Sequence, residues 1–229
     1  MVKKRLGCLH AHFSNIDYIE KAFFSYNIEL IHFVDPALIY RVSNDQYFGD
    51  SDARNKVKEQ IEWIAQCNVD AILITCTNYI ALLEEEQLRI SIPIIKIDEP
   101  FFDYLLSIEG PQTILFTNPS TIEGTMDRLK RHASNYQKEI EIDVMVINNT
   151  FKLLMEGLID EYNQEIIKFL KRINCDENGA VSVAQLSMVY ASEQFNSSII
   201  HPLLPLVSSI VNRLKLEKKI ESSKVNLKV

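Results

Sequence analysis

The chain has 229 residues, a hydrophobic fraction of 47%, a charged fraction of 24% and a formal net charge of -7, with a sequence pI near 5.3. These are the proportions of an ordinary globular protein with ample core, and the acidic balance argues against nucleic acid or an anionic membrane as the main partner. No apolar run reaches the roughly 18 residues that cross a bilayer, and four scattered cysteines (Cys8, Cys67, Cys76, Cys175) show neither CxxC nor Cys/His metal spacing.

Strand and helix patterns alternate almost from end to end. Lys3-Lys4-Arg5 precedes an apolar run, Arg5–His10, which His10 and His12 interrupt as a signal peptide would not. The expectation is therefore a reduced, cytoplasmic protein. Further β runs read as Ile28–Val34, Ala71–Cys76, Pro93–Ile97, Thr113–Thr117, Ile140–Ile147 and Ala180–Leu186. Helical stretches separate them at Ile16–Tyr26, Ser51–Cys67, Tyr79–Leu88, Phe101–Ile108, Thr121–Asn135 and Phe151–Asn174. This alternation predicts an α/β fold with parallel sheets. Seven runs, with a possible eighth near Ser198–His201, fit one wide sheet or two four-stranded ones.

Local signals mark several boundaries. Ser120 and Glu123 have the spacing of a capping box. Phe151, Leu154, Met155, Leu158, Ile159, Tyr162, Ile166 and Leu170 follow helical spacing and read as core. Asp98-Glu99-Pro100 reads as a hinge, because the proline ends a strand and opens a helix. The last helix, about Pro205–Ile220, is amphipathic, and the charged tail from Glu217 to Val229 reads as frayed. With six glycines, neither GxGxxG nor a P-loop can be written, and HExxH, GxSxG and EF-hand patterns are absent.

The segment Asp70–Asn78 carries the most chemistry. A short β-branched run delivers Cys76 to the carboxyl end of a buried-looking strand, where a helix begins. Thr77 and Asn78 are both good N-cap residues. A thiol there lies near unpaired amides and the positive end of a helix dipole, which favour thiolate. The plain alternative is a small buried hydrophobe, which is also the reading of Cys8.

Other candidates carry paired readings. His10 and His12 either help bind a carboxylate at the mouth of the first strand or are surface histidines at a loop end. Asp35 either positions a ligand or makes a turn before Pro36. Thr117, Asn118, Ser120 and Thr121 form a polar loop at a helix start that can cradle an anion. Asp98 and Glu99 read as hinge and cap residues, with Glu99 able to enter a cleft. Lys96 reads as pointing to solvent, and Glu84-Glu85-Glu86 as a solvated helix face.

Six stretches taken in order resemble the aspartate/glutamate/hydantoin racemase superfamily over nearly the whole chain. They are Leu9-His10-Ala11-His12, Val34-Asp35, Asp70–Asn78, Pro93–Pro100 (PIIKIDEP), Leu115–Thr125 (LFTNPSTIEGT) and Val183–Met188, the last resembling an AQ-x-S-M stretch of one branch. The resemblance implies two pseudo-symmetric parallel-sheet α/β domains with the active-site cleft between them. Residues 1–98 plus 206–229 would form the first domain and residues 99–205 the second. Active members place one cysteine from each half on either side of a substrate α-carbon and move its proton without cofactor or metal.

Here Cys76 matches the first cysteine, while Ser187 stands where the second is expected, with Gln185 just before it. Cys175 sits before the Asn178-Gly179 turn, at the wrong end of its strand. A serine hydroxyl is a poorer base than a thiol at neutral pH, so it needs an assisting partner. The resemblance implies catalytic roles for Cys76 and Ser187. It implies substrate contacts by His10, Thr77, Asn78, Thr117, Asn118, Ser120, Thr121 and Gln185, a small carboxylate or hydantoin substrate, and a homodimer. Two rival readings stay open: a single-thiol decarboxylase of a malonate-like acid, and a non-catalytic protein that binds a small acid.

Overall fold

The computed structural model describes residues 3–173, 179–196 and 198–219. Strands β1 (Lys4–His10), β2 (Ile28–Val34), β3 (Ala71–Ile74) and β4 (Ile94–Lys96) form a parallel sheet in the order β2-β1-β3-β4. Strands β5 (Gln112–Phe116), β6 (Ile142–Val146) and β7 (Ala180–Val183) form a second parallel sheet in the order β6-β5-β7. The expected two sheets are present, but with four and three strands. The proposed eighth strand is a single bridge between Ser182 and Ile200.

Helices α1 (Asn15–Phe23), α2 (Ala37–Asn44), α3 (Asp50–Ala65) and α4 (Thr77–Leu82) belong to the first sheet's connections. Helices α5 (Asp98–Leu105), α6 (Ile122–Asn135), α7 (Thr150–Met155), α8 (Ile159–Leu170) and α9 (Val189–Phe195) follow, and α10 (Leu203–Leu214) closes the described chain. Two of these, α2 and α9, were not anticipated from the sequence; both are short and carry few periodic positions.

The apolar strands bury themselves as expected of sheets covered on both faces. Ala71, Ile72, Leu73 and Ile74 of β3 are all fully buried. Strand β5 shows why alternation matters: Ile114 and Phe116 join Phe101, Phe102, Leu105 and Leu129 on one face, while Leu115 joins Tyr162, Ile166 and Leu170 on the other. In the first half, Leu206, Ile210 and Leu214 of α10 pack into the same core as β1 and β3, and so do Leu186 and Val189.

Two glycines are required by close approach. A Cβ on Gly7 would sit 2.9 Å from the Ile64 side chain, so glycine lets α3 lie close on β1. Gly179 has φ +65° and a Cβ there would sit 2.0 Å from the Pro111 carbonyl oxygen, which accepts from the Ala180 amide at 3.2 Å.

Several local expectations are corrected. The Phe151–Asn174 helix is broken at Gly157, which takes φ +77°, so Met155, Leu158 and Ile159 are exposed while Tyr162, Ile166 and Leu170 are core. Residues 174–178, with Cys175 and Asn178 of the expected turn, lie outside the described residues. Lys96 does not point freely to solvent; it pairs with Glu85 at 2.5 Å and Glu99 at 2.7 Å. The acidic run 84–86 is not a helix face, because Glu84 pairs with Arg54 at 2.9 Å and a 3-10 turn covers Glu85–Gln87. The tail is paired as far as residue 219: Lys218 bridges Tyr26, and Lys219 donates to the Ser25 carbonyl.

Candidate active site

Cys76 leaves β3 with extended backbone (φ -108°, ψ 120°) and is itself the N-cap of α4. Its carbonyl accepts from the Ile80 amide at 3.1 Å. Thr77 and Asn78, expected as caps, are instead the first two helical residues, with no side-chain cap bond at this helix start. The Tyr79 and Asn78 amides at the helix start and the Arg128 guanidinium favour the thiolate of Cys76. All three pull the thiol pKa down. Burial outweighs them, so the net shift is upward, opposite to that expected from the helix terminus alone.

Arg128 was not singled out by sequence reasoning. It lies in α6 inside the charged run Asp127–Arg131, and nothing in composition marks it. Helical spacing is the signal that finds it: Thr125, Leu129 and Ala133 form the buried face, and Arg128 borders it. Its Nε donates to Asp98 Oδ2 at 2.7 Å, with side-chain exposures of only 12% and 5%. The other oxygen, Asp98 Oδ1, is buried with no partner among the described residues. The hinge residue Asp98 thus anchors the cation that acts on Cys76.

The second sheet supplies a separate hydrogen-bonded cluster. Gln185 Oε1 accepts from the Thr117 amide at 2.8 Å, the Asn118 amide at 3.1 Å and the Thr117 hydroxyl at 2.8 Å. Thr117 Oγ1 lies 3.1 Å from the Tyr162 hydroxyl, which lies 2.7 Å from Ser187 Oγ. Each hydroxyl has one proton, so the directions follow. Thr117 gives its proton to Gln185, Tyr162 therefore donates to Thr117, and Ser187 donates to Tyr162. Burial pushes the Tyr162 pKa up, against the Ser187 and Thr117 bonds, which lower it.

The predicted loop partners are placed more locally. Asn118 Oδ1 accepts from the Ser120 amide at 3.1 Å and its hydroxyl at 2.8 Å, and Thr121 donates to the Asn118 carbonyl at 2.9 Å. This Asx turn carries a 3-10 turn, Pro119–Thr121, in place of the capping box expected from Ser120 and Glu123. Tyr18 of α1 donates to the Ser187 carbonyl at 3.1 Å, tying the first half to the second. Burial, with Tyr162, Asp17 and Glu193 nearby, pushes Tyr18 up to about 12.

His10 is fully buried rather than at an open mouth. Its Nδ1 is 2.8 Å from Thr75 Oγ1 and its Nε2 2.8 Å from His32 Nδ1. Burial first, and the His32 ring second, push its pKa down to about 4. His12 pairs with Ser14 at 2.8 Å in the loop. Asp35 makes the turn, its Oδ1 accepting from the Ala37 amide at 2.8 Å. Among the described residues one side-chain group has metal-ligand character: Cys8, His10 and His32.

Two parallel-sheet α/β halves with polar strand ends and a strand-end thiol have the fold of the amino-acid and allantoin racemases. In particular, aspartate racemase from Picrophilus torridus superposes with a TM-score of 0.70 at 11% identity, covering 94% of this chain and 96% of that one. Allantoin racemase from Klebsiella pneumoniae gives 0.59 at 17% identity, over 94% and 90% of the two chains. Glutamate racemase from Francisella tularensis in complex with D-glutamate gives 0.58 at 13% identity, over 94% and 83%. No protein-family model matches the chain, and no curated protein does.

Proposed function

We propose that this protein is a racemase-like isomerase that moves the α-proton of a small carboxylic acid, with Cys76 as the proton-transferring group. The observation that carries this reading is the Cys76 thiol at the carboxyl end of β3, where Cys76 is the N-cap residue of α4. In the forward step the substrate Cα–H bond breaks and its proton passes to the Cys76 thiolate. The electron pair is delocalised onto the substrate carboxylate, where Arg128 and the strand-end amides stabilise the charge. A proton then arrives from the opposite face and forms the new C–H bond. Ser187 delivers it once the hydroxyl chain reverses, with Tyr162 donating to Ser187 and replacing the lost proton, since a phenol is a far stronger acid than a serine hydroxyl. Release of the Cys76 proton to solvent and uptake of one by Tyr162 reset the site. Gln185 holds the Thr117–Asn118 backbone in place, and Thr77, Asn78, Ser120 and Thr121 border the substrate. His10 supports the strand end from beneath through Thr75. Nothing is oxidised or reduced, and no cofactor is required.

The α-hydrogen of aspartate, glutamate and a hydantoin panel, followed by NMR in deuterated buffer, tests this directly. Exchange at the α-position that disappears in Cys76→Ala is the expected result. Wild-type protein that neither exchanges nor racemises any of them would overturn it.

One observation favours a second reading. Burial favours the protonated thiol at Cys76, and a protonated thiol suits a decarboxylase, in which the C–C bond to CO2 breaks and one S–H proton quenches the carbanion. CO2 release from a substituted malonate, with one solvent deuterium retained in the product, distinguishes the two.

A further inference from the structure

Outside the candidate active site, a second group of side chains converges on one face of the first sheet. Cys8 and His10 are two residues apart on β1, so their side chains share a face. The parallel register sets His32 of β2 beside Cys8. The Cys8 sulfur and one ring nitrogen of each histidine lie within 4.8 Å of one another. Three side chains from two strands thus converge, and the linear spacing that sequence motifs rely on is absent.

The outward-facing nitrogens decide what the inward-facing ones can do. His32 Nε2 is 3.2 Å from Glu20 Oε1. An ionised carboxylate only accepts, so the proton of His32 sits on Nε2. His10 Nδ1 is 2.8 Å from Thr75 Oγ1, whose proton can go to that nitrogen or to the Leu9 carbonyl at 3.2 Å. With Thr75 donating to Nδ1, His10 Nε2–H donates to His32 Nδ1 at 2.8 Å. A cation bound between the two inner nitrogens would displace that proton, leaving His10 protonated on Nδ1 and donating to Thr75. Among the described residues, the Cys8 thiol beside the two inner nitrogens has the Leu6 carbonyl at 3.7 Å as its acceptor.

We propose that Cys8 Sγ, His10 Nε2 and His32 Nδ1 bind one zinc-class divalent ion. A thiolate and two imidazoles are the donor set such an ion prefers, and three protein ligands leave a fourth position for water. The outer bonds match what ligating histidines require: Glu20 orients His32 and Thr75 orients His10. Binding at ordinary metal–nitrogen distances would widen the separation of the inner nitrogens to about 3.3 Å. Metal entry is from the β2 edge, where the His32 and Glu20 side chains are 14% and 56% exposed, whereas Cys8 and His10 are fully buried. The site shares His10 and Thr75 with the support of the Cys76 strand end, but the proposal does not rest on the isomerase reading.

Cobalt(II) titration of the full-length, reduced, chelator-treated protein tests this proposal. One equivalent is expected to produce a thiolate-to-cobalt charge-transfer band and tetrahedral d–d bands, both removed by adding zinc(II). The charge-transfer band should vanish in Cys8→Ala and persist in Cys76→Ala. If Cys8→Ala fails to fold, the partly exposed positions carry the test: His32→Gln should weaken cobalt binding at least 10-fold, and Glu20→Gln by about 10-fold. Zinc should raise the Tm of wild type and not that of His32→Gln. Absence of the band in wild type, its survival in Cys8→Ala, or its loss in Cys76→Ala would overturn the proposal.

Discussion

At Cys76, burial and a set of local positive groups act on one sulfur in opposite directions, and burial is the larger. A raised thiol pKa keeps the thiolate scarce near neutral pH. Its alkylation by iodoacetamide should therefore accelerate with pH to beyond the ordinary thiol range of about 8.5 before levelling. Arg128→Met removes a group that lowers this pKa, so the same profile should move further alkaline. It also leaves Asp98 buried without its cation, at a cost of about 3–5 kcal/mol, readable in a urea melt. A profile that levels below pH 8.5 would show that the amides and guanidinium outweigh burial. Tyr162 makes the complementary case. Tyr162→Phe removes the acid behind Ser187 and should slow α-hydrogen exchange by about 100-fold in an active isomerase, with the Cys76 alkylation rate unchanged.

Among the elements, strand β7 is held by a glycine that cannot be replaced cheaply. Alanine at Gly179 must adopt a left-handed backbone and meets the Pro111 carbonyl oxygen at 2.0 Å. The combined strain and steric conflict should cost about 2–4 kcal/mol, measured as a lower urea midpoint at unchanged slope. A variant as stable as wild type would mean that the β5–β7 edge shifts freely. The break at Gly157 is a related lesson. Apolar spacing ran on through it, yet a left-handed glycine ended α7 and let α8 start a new axis. Local conformation, rather than periodicity, divided the helix.

For the whole molecule, the halves are not separate packing units. Leu186 and Val189 from the second half of the chain, and Leu206, Ile210 and Leu214 from α10, lie in the core of the first sheet. Tyr18 adds a direct bond to the Ser187 carbonyl. Calorimetry should therefore show one cooperative unfolding transition in which the calorimetric and van't Hoff enthalpies agree. Two resolved transitions would mean that these shared contacts do not couple the halves.

Much of the architecture was legible in the residue order because it depends on near neighbours. The alternation of β-branched runs with helical spacing predicts parallel sheets, one or two, and the run Ala71–Ile74 followed by Cys76 predicts a thiol at a strand end. Thr117, Asn118, Gln185 and Ser187 were also anticipated, and they meet in one network. What tertiary structure alone decided depends on groups distant in the chain. Desolvation raised a thiol that its own helix start would have lowered, α6 brought Arg128 to it, and α8 brought Tyr162 to Ser187. Strand pairing gathered Cys8, His10 and His32. Charge interactions and burial act through space, so sequence distance carries little information about them.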